Sequence, residues 1–147
     1  MPRNAQAQLY VTQGVGFGPA GTVTAYDANS GAVIPSSGFT PITGLNGPVG
    51  LAVANNNLYV ANRSAGTVTA YIASSGLPAP KFTTITGLKK PTGLAVRGNV
   101  LYVSAFDGGT VTAYDANTGA PDRNFTPISR SRCSRSIVLG ESDVRIQ

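Results

Sequence analysis

The sequence predicts an all-β fold assembled from repeats, and two observations carry that prediction. The first is internal self-similarity, because the segment Gly-Thr-Val-Thr-Ala-Tyr occurs three times without change, starting at Gly21, Gly66 and Gly109. The second is periodicity, because polar and apolar residues alternate within this segment as in a strand with one buried face. No window shows a sustained 3.6-residue period, so we expect little or no helix.

Further segments repeat in the same order. Leu-Tyr-Val, Phe-Thr and Pro-x-Gly-Leu-Ala-Val recur, starting at Leu9, Leu58 and Leu101, at Phe39, Phe82 and Phe125, and at Pro48 and Pro91. The first copy is longer than the others, and its extra residues fall between the shared segments, as loop insertions do. The sequence therefore predicts a lead-in over 1–8, three repeats of about 43–49 residues over 9–129, and a tail over 130–147.

Each repeat is interpreted as four short strands. In the middle copy, residues 50–53 form a short buried run, and residues 57–60 follow across a connection rich in turn-forming Asn. Residues 66–71 alternate Thr and Tyr with Val and Ala, and residues 82–85 supply the fourth strand. Gly, Asn, Ser, Asp and Pro fill the connections between the strands.

Burial explains why such sheets must stack. A lone four-stranded sheet has two faces and cannot cover both, whereas sheets arranged radially about an axis bury each face on the next sheet. Four antiparallel strands every ~40–50 residues are typical of a β-propeller blade. Small residues suit the crowded strand near the axis, as at Gly50, Ala52 and Ala95. The predicted fold is three four-stranded blades of a β-propeller.

Three blades are fewer than the roughly four to eight of closed propellers. Two solutions stay open. Two chains could pair into a six-bladed ring by homo-oligomerisation, or the chain is a partial propeller belonging to a longer protein. The expected partner is therefore a second copy of the chain or another protein.

The tail breaks the repeat abruptly. After Ile128 and Ser129, the third copy should continue with Gly-Leu and then Pro-x-Gly-Leu-Ala-Val near 134–139. The sequence instead turns rich in Arg and Ser and carries the single Cys133 and the single Glu141. We expect a shifted reading frame or a truncated gene, and a divergent tail that binds an acidic partner is the alternative.

The repeated segments resemble a known family. Pro-x-Gly-Leu-Ala-Val, Asn-x-Leu-Tyr-Val and Gly-Thr-Val-Thr-Ala-Tyr-Asp are similar to the NHL-type propeller repeat and its YVTN-like bacterial relatives, and the closest matches start at Leu9 and Leu58. The resemblance implies a binding protein, often one exported from bacteria. Some relatives are lyases, which use His, or lactonases, which hold a metal in the central channel with Glu, Asn and Asp.

The residue inventory argues against the enzymatic branch. The chain has no His, and Glu141 lies outside the repeats. We therefore assign no catalytic, cofactor-binding or metal-binding residue and expect no cofactor. The predicted function is a non-enzymatic binding or interaction module of unknown ligand. The alternatives are a fragment of a propeller lyase or lactonase that lacks its catalytic blades, and a truncated gene product without function.

Side chains that repeat by position are interpreted as structural. Asp27 and Asp115 follow equivalent strands and are predicted to cap turns by accepting backbone N–H bonds. The six tyrosines fall at two repeated positions and are predicted to pack between blades: Tyr10, Tyr59 and Tyr102, with Tyr26, Tyr71 and Tyr114. The longer first-copy loop over 12–20 is a candidate contact, with Gly14, Gly16, Phe17 and Gly18.

Charge and targeting signals say little about the partner and the cellular location of the protein. The net charge is +5, but apart from an Arg-rich stretch over 130–135 the basic residues are spread thinly, which argues against a nucleic-acid partner. No apolar run approaches the ~20 residues of a membrane span, and no signal-peptide core precedes Leu9. Cys133 has no second cysteine with which to form a disulfide, so export and cytoplasm both stay open.

Overall fold

The computed structural model describes residues 7–14, 20–35, 37–130 and 137–140. Within these residues the regular structure is entirely β, and no helix is present. The strands are β1 (Gln8–Gln13), β2 (Gly21–Asp27), β3 (Ile42–Leu45), β4 (Pro48–Ala54), β5 (Asn57–Asn62), β6 (Thr67–Ile72), β7 (Pro91–Arg97), β8 (Val100–Ala105), β9 (Thr110–Asp115) and β10 (Ile128–Ser129).

The strands form three antiparallel sheets that follow the three repeats along the chain. The sheet orders are β1-β2-β3, β4-β5-β6 and β10-β9-β8-β7. Strands β1, β5 and β8 hold equivalent places, because Leu9, Leu58 and Leu101 pair with Tyr26, Tyr71 and Tyr114 respectively. The all-β partial-propeller prediction is confirmed, with three or four strands in each sheet.

The outer strand of each sheet differs from its prediction. The strand expected over 82–85 is reduced to a bridge in which Val68 and Ile85 exchange backbone hydrogen bonds of 2.9 and 3.0 Å. Phe82 precedes that bridge and places its ring 5.6 Å from the ring of Tyr59. The next residue, Thr83, donates its N–H to the carbonyl of Thr118 in the following repeat at 2.9 Å. Residues 82 and 83 thus contact the neighbouring blade, and the outer segment bonds to its own sheet at Ile85 and again at Leu88, which donates its N–H to the carbonyl of Gly66 at 3.0 Å.

The inner strand β4 is less buried than predicted. Residues 50–52 are half-buried and Val53 is 50% exposed, because β4 is the edge of its sheet and pairs only with β5. The requirement for small residues is confirmed at Gly50. A Cβ atom there would overlap the backbone oxygen of Thr92 in β7, so only glycine allows the two inner strands to approach so closely.

Two apolar clusters hold the three sheets together. The first lies between the first and second sheets and contains Val23, Ala25, Phe39, Ile42, Leu45, Leu58, Val60 and Ala73. The second lies between the second and third sheets and contains Tyr59, Ala61, Val68, Ala70, Ile85, Leu101, Val103 and Ala116. Each sheet thus buries one face on the next, as the repeat argument requires, and each fully buried Leu or Val contributes about 1.5–3 kcal/mol.

Candidate functional site

The contact between the first and second sheets is a specific junction. Tyr10 Oη donates a hydrogen bond to the carbonyl oxygen of Ala73 at 2.7 Å. Thr40 donates its backbone N–H to the carbonyl of Ser75 at 2.8 Å. The ring of Phe39 is buried beside Gly76, where an added Cβ would lie 3.1 Å from the ring and would overlap the carbonyl oxygen of Thr40.

The second and third sheets repeat that junction. Tyr59 Oη donates to the carbonyl of Ala116 at 2.5 Å, and the N–H of Thr83 donates to the carbonyl of Thr118. Phe82 lies against Gly119 as Phe39 lies against Gly76. The predicted packing of tyrosines between blades is confirmed for Tyr10 and Tyr59. Burial raises the pKa of both phenols, so both stay protonated hydrogen-bond donors at neutral pH.

Asp27 and Asp115 cap the equivalent turns of the first and third sheets, as predicted, whereas the turn of the second sheet follows Ile72. Asp27 Oδ1 accepts N–H bonds from Asn29 and Ser30, both at 2.8 Å. Asp115 Oδ1 accepts equivalent bonds from residues 117 and 118 at 2.8 and 2.9 Å. These bonds lower the pKa of both carboxyls, with the bond from Ser30 the largest cause for Asp27 and that from Thr118 for Asp115.

Each turn ends on a glycine in the left-handed region. The φ angles of Gly31, Gly76 and Gly119 are 71°, 78° and 77°, which L side chains rarely adopt. The turn of the first sheet therefore has the same backbone shape as the two turns inside the junctions. It differs in its surroundings, because an added Cβ at Gly31 would meet nothing within 4 Å.

Among the described residues, no sheet covers one face of the first sheet, which we name the leading face. It carries residues whose counterparts in the later sheets belong to or pack against the two apolar clusters: Leu9, Val11, Tyr26 and Ala28. Leu9 is 53% exposed, whereas Leu58 and Leu101 at the same position are 0% exposed. Ala28 is exposed, whereas Ala73 and Ala116 are buried.

In the part of the chain that the structure describes, no sheet covers the opposite face of the third sheet, which we name the trailing face. It carries Tyr102, Val111, Phe125 and Ile128. Ile128 is 44% exposed, whereas Ile42 and Ile85 are buried. The prediction that all tyrosines pack between blades is wrong for Tyr26 and Tyr102. Each lies on an end sheet, on the side that no described sheet covers.

One strand edge of the first sheet is also open. In the second and third sheets, β4 and β7 pair with the inner edges of β5 and β8. Among the described residues, no strand pairs with the corresponding edge of β1. This edge, which we name the β1 edge, presents a row of backbone donors and acceptors.

A groove of about 1170 Å³ lies beside the turn of the first sheet. Its walls include the exposed Val33 and Val53 and the half-buried Tyr10. Asp27 supplies a carboxylate to the groove, but Oδ1 of that carboxylate is already used by the turn. The groove is lined by both apolar and polar residues.

The described residues hold no group of three or more His, Cys, Asp or Glu side chains close enough to bind a metal. Lys90 pairs with Asp107 at 2.7 Å, and the guanidinium of Arg63 lies 5.4 Å from the ring centroid of Phe106. In the same part of the chain, no helix is long and apolar enough to cross a membrane. Residues 15–19 of the candidate loop, the lead-in over 1–6, and tail residues 131–136 and 141–147 lie outside the described residues.

The exposure of Leu9 was not predicted from the sequence. A signal was present, because the first Leu-Tyr-Val has no Pro-x-Gly-Leu-Ala-Val segment ahead of it, whereas the second and third do. Among the described residues, no strand pairs with the β1 edge and no sheet packs on Leu9, which accounts for its exposure.

Comparison with known proteins identifies the repeat. A family model described as "Outer membrane protein assembly factor BamB" matches residues 19–123. The chain belongs to this family. The match confirms a β-propeller repeat family, and no curated protein matches the chain in sequence.

Solved structures agree on the fold. The computationally designed Ika4 protein matches with a TM-score of 0.66 at 19% identity, covering 90% of this chain and 74% of that one. AztD from Citrobacter koseri matches with a TM-score of 0.60 at 16% identity, covering 92% of this chain and 36% of that one. BamB from Moraxella catarrhalis matches with a TM-score of 0.54 at 21% identity, covering 76% and 31%. The chain thus spans about a third of the length of each natural protein.

Proposed function

We propose that the chain is a non-enzymatic interaction module that binds an extended segment of a partner protein along the β1 edge. The single observation that carries this proposal is that, among the described residues, no strand pairs with the β1 edge, whereas β4 and β7 pair with the equivalent edges of β5 and β8. An unpaired strand edge is a template for strand addition, in which backbone hydrogen bonds supply affinity and side-chain pockets supply selectivity.

The hydrogen-bond pattern of the sheet defines which groups are available. Ala28 donates its N–H to the carbonyl of Ala7, which makes residues 7 and 28 a hydrogen-bonded pair. Bonding alternates along an antiparallel ladder, so the backbone groups of Gln8, Tyr10 and Thr12 point away from β2. The corresponding residues of β5 bond to β4.

The completed sheets indicate which side chains the partner segment needs. Ala52 lies opposite Tyr59, and Ala95 lies opposite Tyr102. Gly50 and Gly93 occupy the place two residues earlier in their strands. A segment that fits beside Tyr10 and Thr12 therefore carries a small residue opposite each of them, with apolar residues between and after, as in Gly-Leu-Ala-Val.

The family relationship supports a protein as the partner. The family description names an assembly factor for outer membrane proteins, which is a protein-binding role. The Leu-Tyr-Val and Gly-Thr-Val-Thr-Ala-Tyr segments support an NHL-like form of the repeat and a bacterial origin. An exported bacterial protein that offers an extended segment is the partner we favour.

The probe for this proposal is a synthetic peptide with the sequence of Pro91–Arg97, Pro-Thr-Gly-Leu-Ala-Val-Arg. We expect it to bind the chain and to slow hydrogen exchange of the amides of Tyr10 and Thr12, measured by NMR. The matched controls carry a single N-methyl group. Methylation at the alanine equivalent to Ala95 removes an N–H that faces the β1 edge, whereas methylation at the leucine equivalent to Leu94 removes one that faces away.

Binding of the peptide and of its leucine-methylated form, with loss of binding for the alanine-methylated form, supports strand addition. Absence of binding by the unmodified peptide overturns the proposal. Equal binding by both methylated peptides overturns it too, because the backbone bonds would then play no part.

A further inference from the structure

The trailing and leading faces carry the same side chains and turn that meet at the internal junctions. Inside the chain, a tyrosine, a phenylalanine and a threonine N–H from one sheet meet the turn of the next sheet, and this happens twice with the same partners. The trailing face carries a third copy of the tyrosine, phenylalanine and threonine, in Tyr102, Phe125 and Thr126. The leading face carries a third copy of the turn that receives them, over 28–31.

Both faces are preformed. The rings of Tyr102 and Phe125 lie 5.5 Å apart with their planes at 70°, close to the 5.6 Å and 65° of Tyr59 and Phe82. The turn over 28–31 has the capping bonds and the positive φ of the turn over 116–119. Association therefore requires little rearrangement of either surface, which lowers its entropic cost.

We propose that the trailing face of one chain docks onto the leading face of a second copy of the same chain. The internal junctions define the contacts. Tyr102 Oη donates to the carbonyl oxygen of Ala28 in the second copy, and the N–H of Thr126 donates to the carbonyl of Ser30. The ring of Phe125 covers Gly31, as Phe39 covers Gly76. Leu9 and Ile128 then become buried like their internal counterparts.

The chemistry of the two faces favours a second copy over an unrelated protein. An unrelated partner would have to reproduce a tight turn ending on a glycine with positive φ, whereas the chain itself carries that turn. Head-to-tail contacts of this kind generate a ring when the rotation closes. Two chains supply six blades, which lies within the range of closed propellers.

The first experiment is sedimentation equilibrium of the full chain with the variants Gly31→Asn and Gly44→Asn. Both glycines have a φ of 71°, and an added Cβ would meet nothing within 4 Å at either site, so both variants should fold alike. Asn tolerates the left-handed region better than other side chains. Only position 31 lies on the proposed interface, where its side chain would collide with Phe125 of the second copy.

We expect the wild-type chain and Gly44→Asn to sediment at twice the 15.0 kDa of one chain, and Gly31→Asn to sediment as a monomer. A monomeric wild-type chain at millimolar concentration overturns the proposal. Equal self-association of Gly31→Asn and Gly44→Asn overturns it as well, because the contact would then lie elsewhere.

A second variant tests the trailing face without altering any backbone. Tyr102→Phe removes one hydroxyl, and we expect it to weaken dimerisation about fivefold to tenfold while monomer stability stays unchanged. Unchanged dimerisation would contradict the assigned bond to Ala28. The outcome is separable from the strand-addition proposal, since neither Gly31 nor Tyr102 contributes to the β1 edge and peptide binding should persist in both variants.

Discussion

Residues at equivalent positions of the repeat are buried in the middle of this chain and exposed at its ends. Leu58 and Leu101 are fully buried at the junctions, whereas Leu9, in the same segment and at the same place in its strand, is half exposed. Ile85 and Ile128 differ in the same way at the other end. The comparison teaches that local sequence sets the strand and its pairing, while burial depends on whether a neighbouring sheet is present.

The comparison also shows what a junction contains. Each one combines a tyrosine hydrogen bond to the next sheet, a backbone hydrogen bond between sheets and an aromatic ring packed on a glycine. The end sheets carry the same parts without the partner. Substitutions at equivalent positions should therefore differ in cost by the energy of the junction alone, when stability is measured at concentrations where the chain is monomeric.

The largest expected difference is between Gly119→Ala and Gly31→Ala. Both place a side chain at positive φ, which costs about 1–2 kcal/mol. At Gly119 the new Cβ would also overlap the backbone oxygen of Thr83, which should raise the total loss of unfolding free energy to about 3–5 kcal/mol. Urea denaturation measures both values, and equal losses would show that the turn of the third sheet does not dock as described.

The second difference is between Leu58→Ala and Leu9→Ala. Truncation of the buried Leu58 should cost about 2–5 kcal/mol, because it leaves a cavity in the first apolar cluster. Truncation of Leu9 should cost about 0.5 kcal/mol or less. Chemical unfolding of the two variants checks this, and a large cost at Leu9 would mean that its side chain is covered in the monomer.

The third difference is between Tyr59→Phe and Tyr102→Phe. The first variant removes a buried hydrogen bond and leaves the carbonyl of Ala116 without that donor, at an expected cost of about 1–2 kcal/mol. The second variant removes a hydroxyl from the trailing face and should change monomer stability by less than about 0.5 kcal/mol. The thermal midpoints of the two variants should therefore separate by several degrees, and coinciding midpoints would contradict the bond at Tyr59.

The smallest expected effect comes from the turn carboxylates. Backbone N–H bonds, led by that of Thr118, hold the pKa of Asp115 below its ordinary value of 3.8. A lowered folded-state pKa adds stability above the unfolded pKa, and this stability is lost as the pH falls through the folded value. Asp115→Asn keeps an oxygen that can cap the turn but removes the charge.

The urea midpoints of wild type and Asp115→Asn should therefore differ at neutral pH and converge as the pH falls below the lowered pKa of Asp115. Asp27→Asn should behave in the same way, because Ser30 and Asn29 bond its carboxylate alike. A difference between wild type and either variant that does not depend on pH would assign the effect to turn geometry rather than to charge.

Much of the fold could be predicted from the sequence because the same repeat occurs in it three times. Repetition identified the strands that contain Leu-Tyr-Val and Gly-Thr-Val-Thr-Ala-Tyr, and it assigned Asp27 and Asp115 to turns. The outer strand at 82–85 could not be placed, because Phe82 and Thr83 make their contacts with the next blade. Residues 50–53 looked buried because they are apolar, but the strand is an edge and Val53 is half exposed.

The candidate surfaces were harder to predict for a related reason. Leu9 and Leu58 stand in nearly the same local sequence, so periodicity alone cannot distinguish the exposed residue from the buried one. The distinction depends on the segment that precedes each of them and on the sheet that packs against it. Gly31 and Gly119 likewise occupy similar turn sequences and both have a positive φ, but only Gly119 is packed against Phe82.

The most direct test of the central claim, that the ends of the chain are unfilled copies of its internal junctions, is an isotope-filtered NOE experiment. One half of the sample is labelled with ¹³C and mixed with unlabelled chain. Cross-peaks within one chain should join Phe39 to Gly76 and Phe82 to Gly119. The account predicts a cross-peak between labelled and unlabelled chains that joins the ring of Phe125 to the α-protons of Gly31. The two internal cross-peaks without this intermolecular one, at the highest soluble concentration, would contradict it.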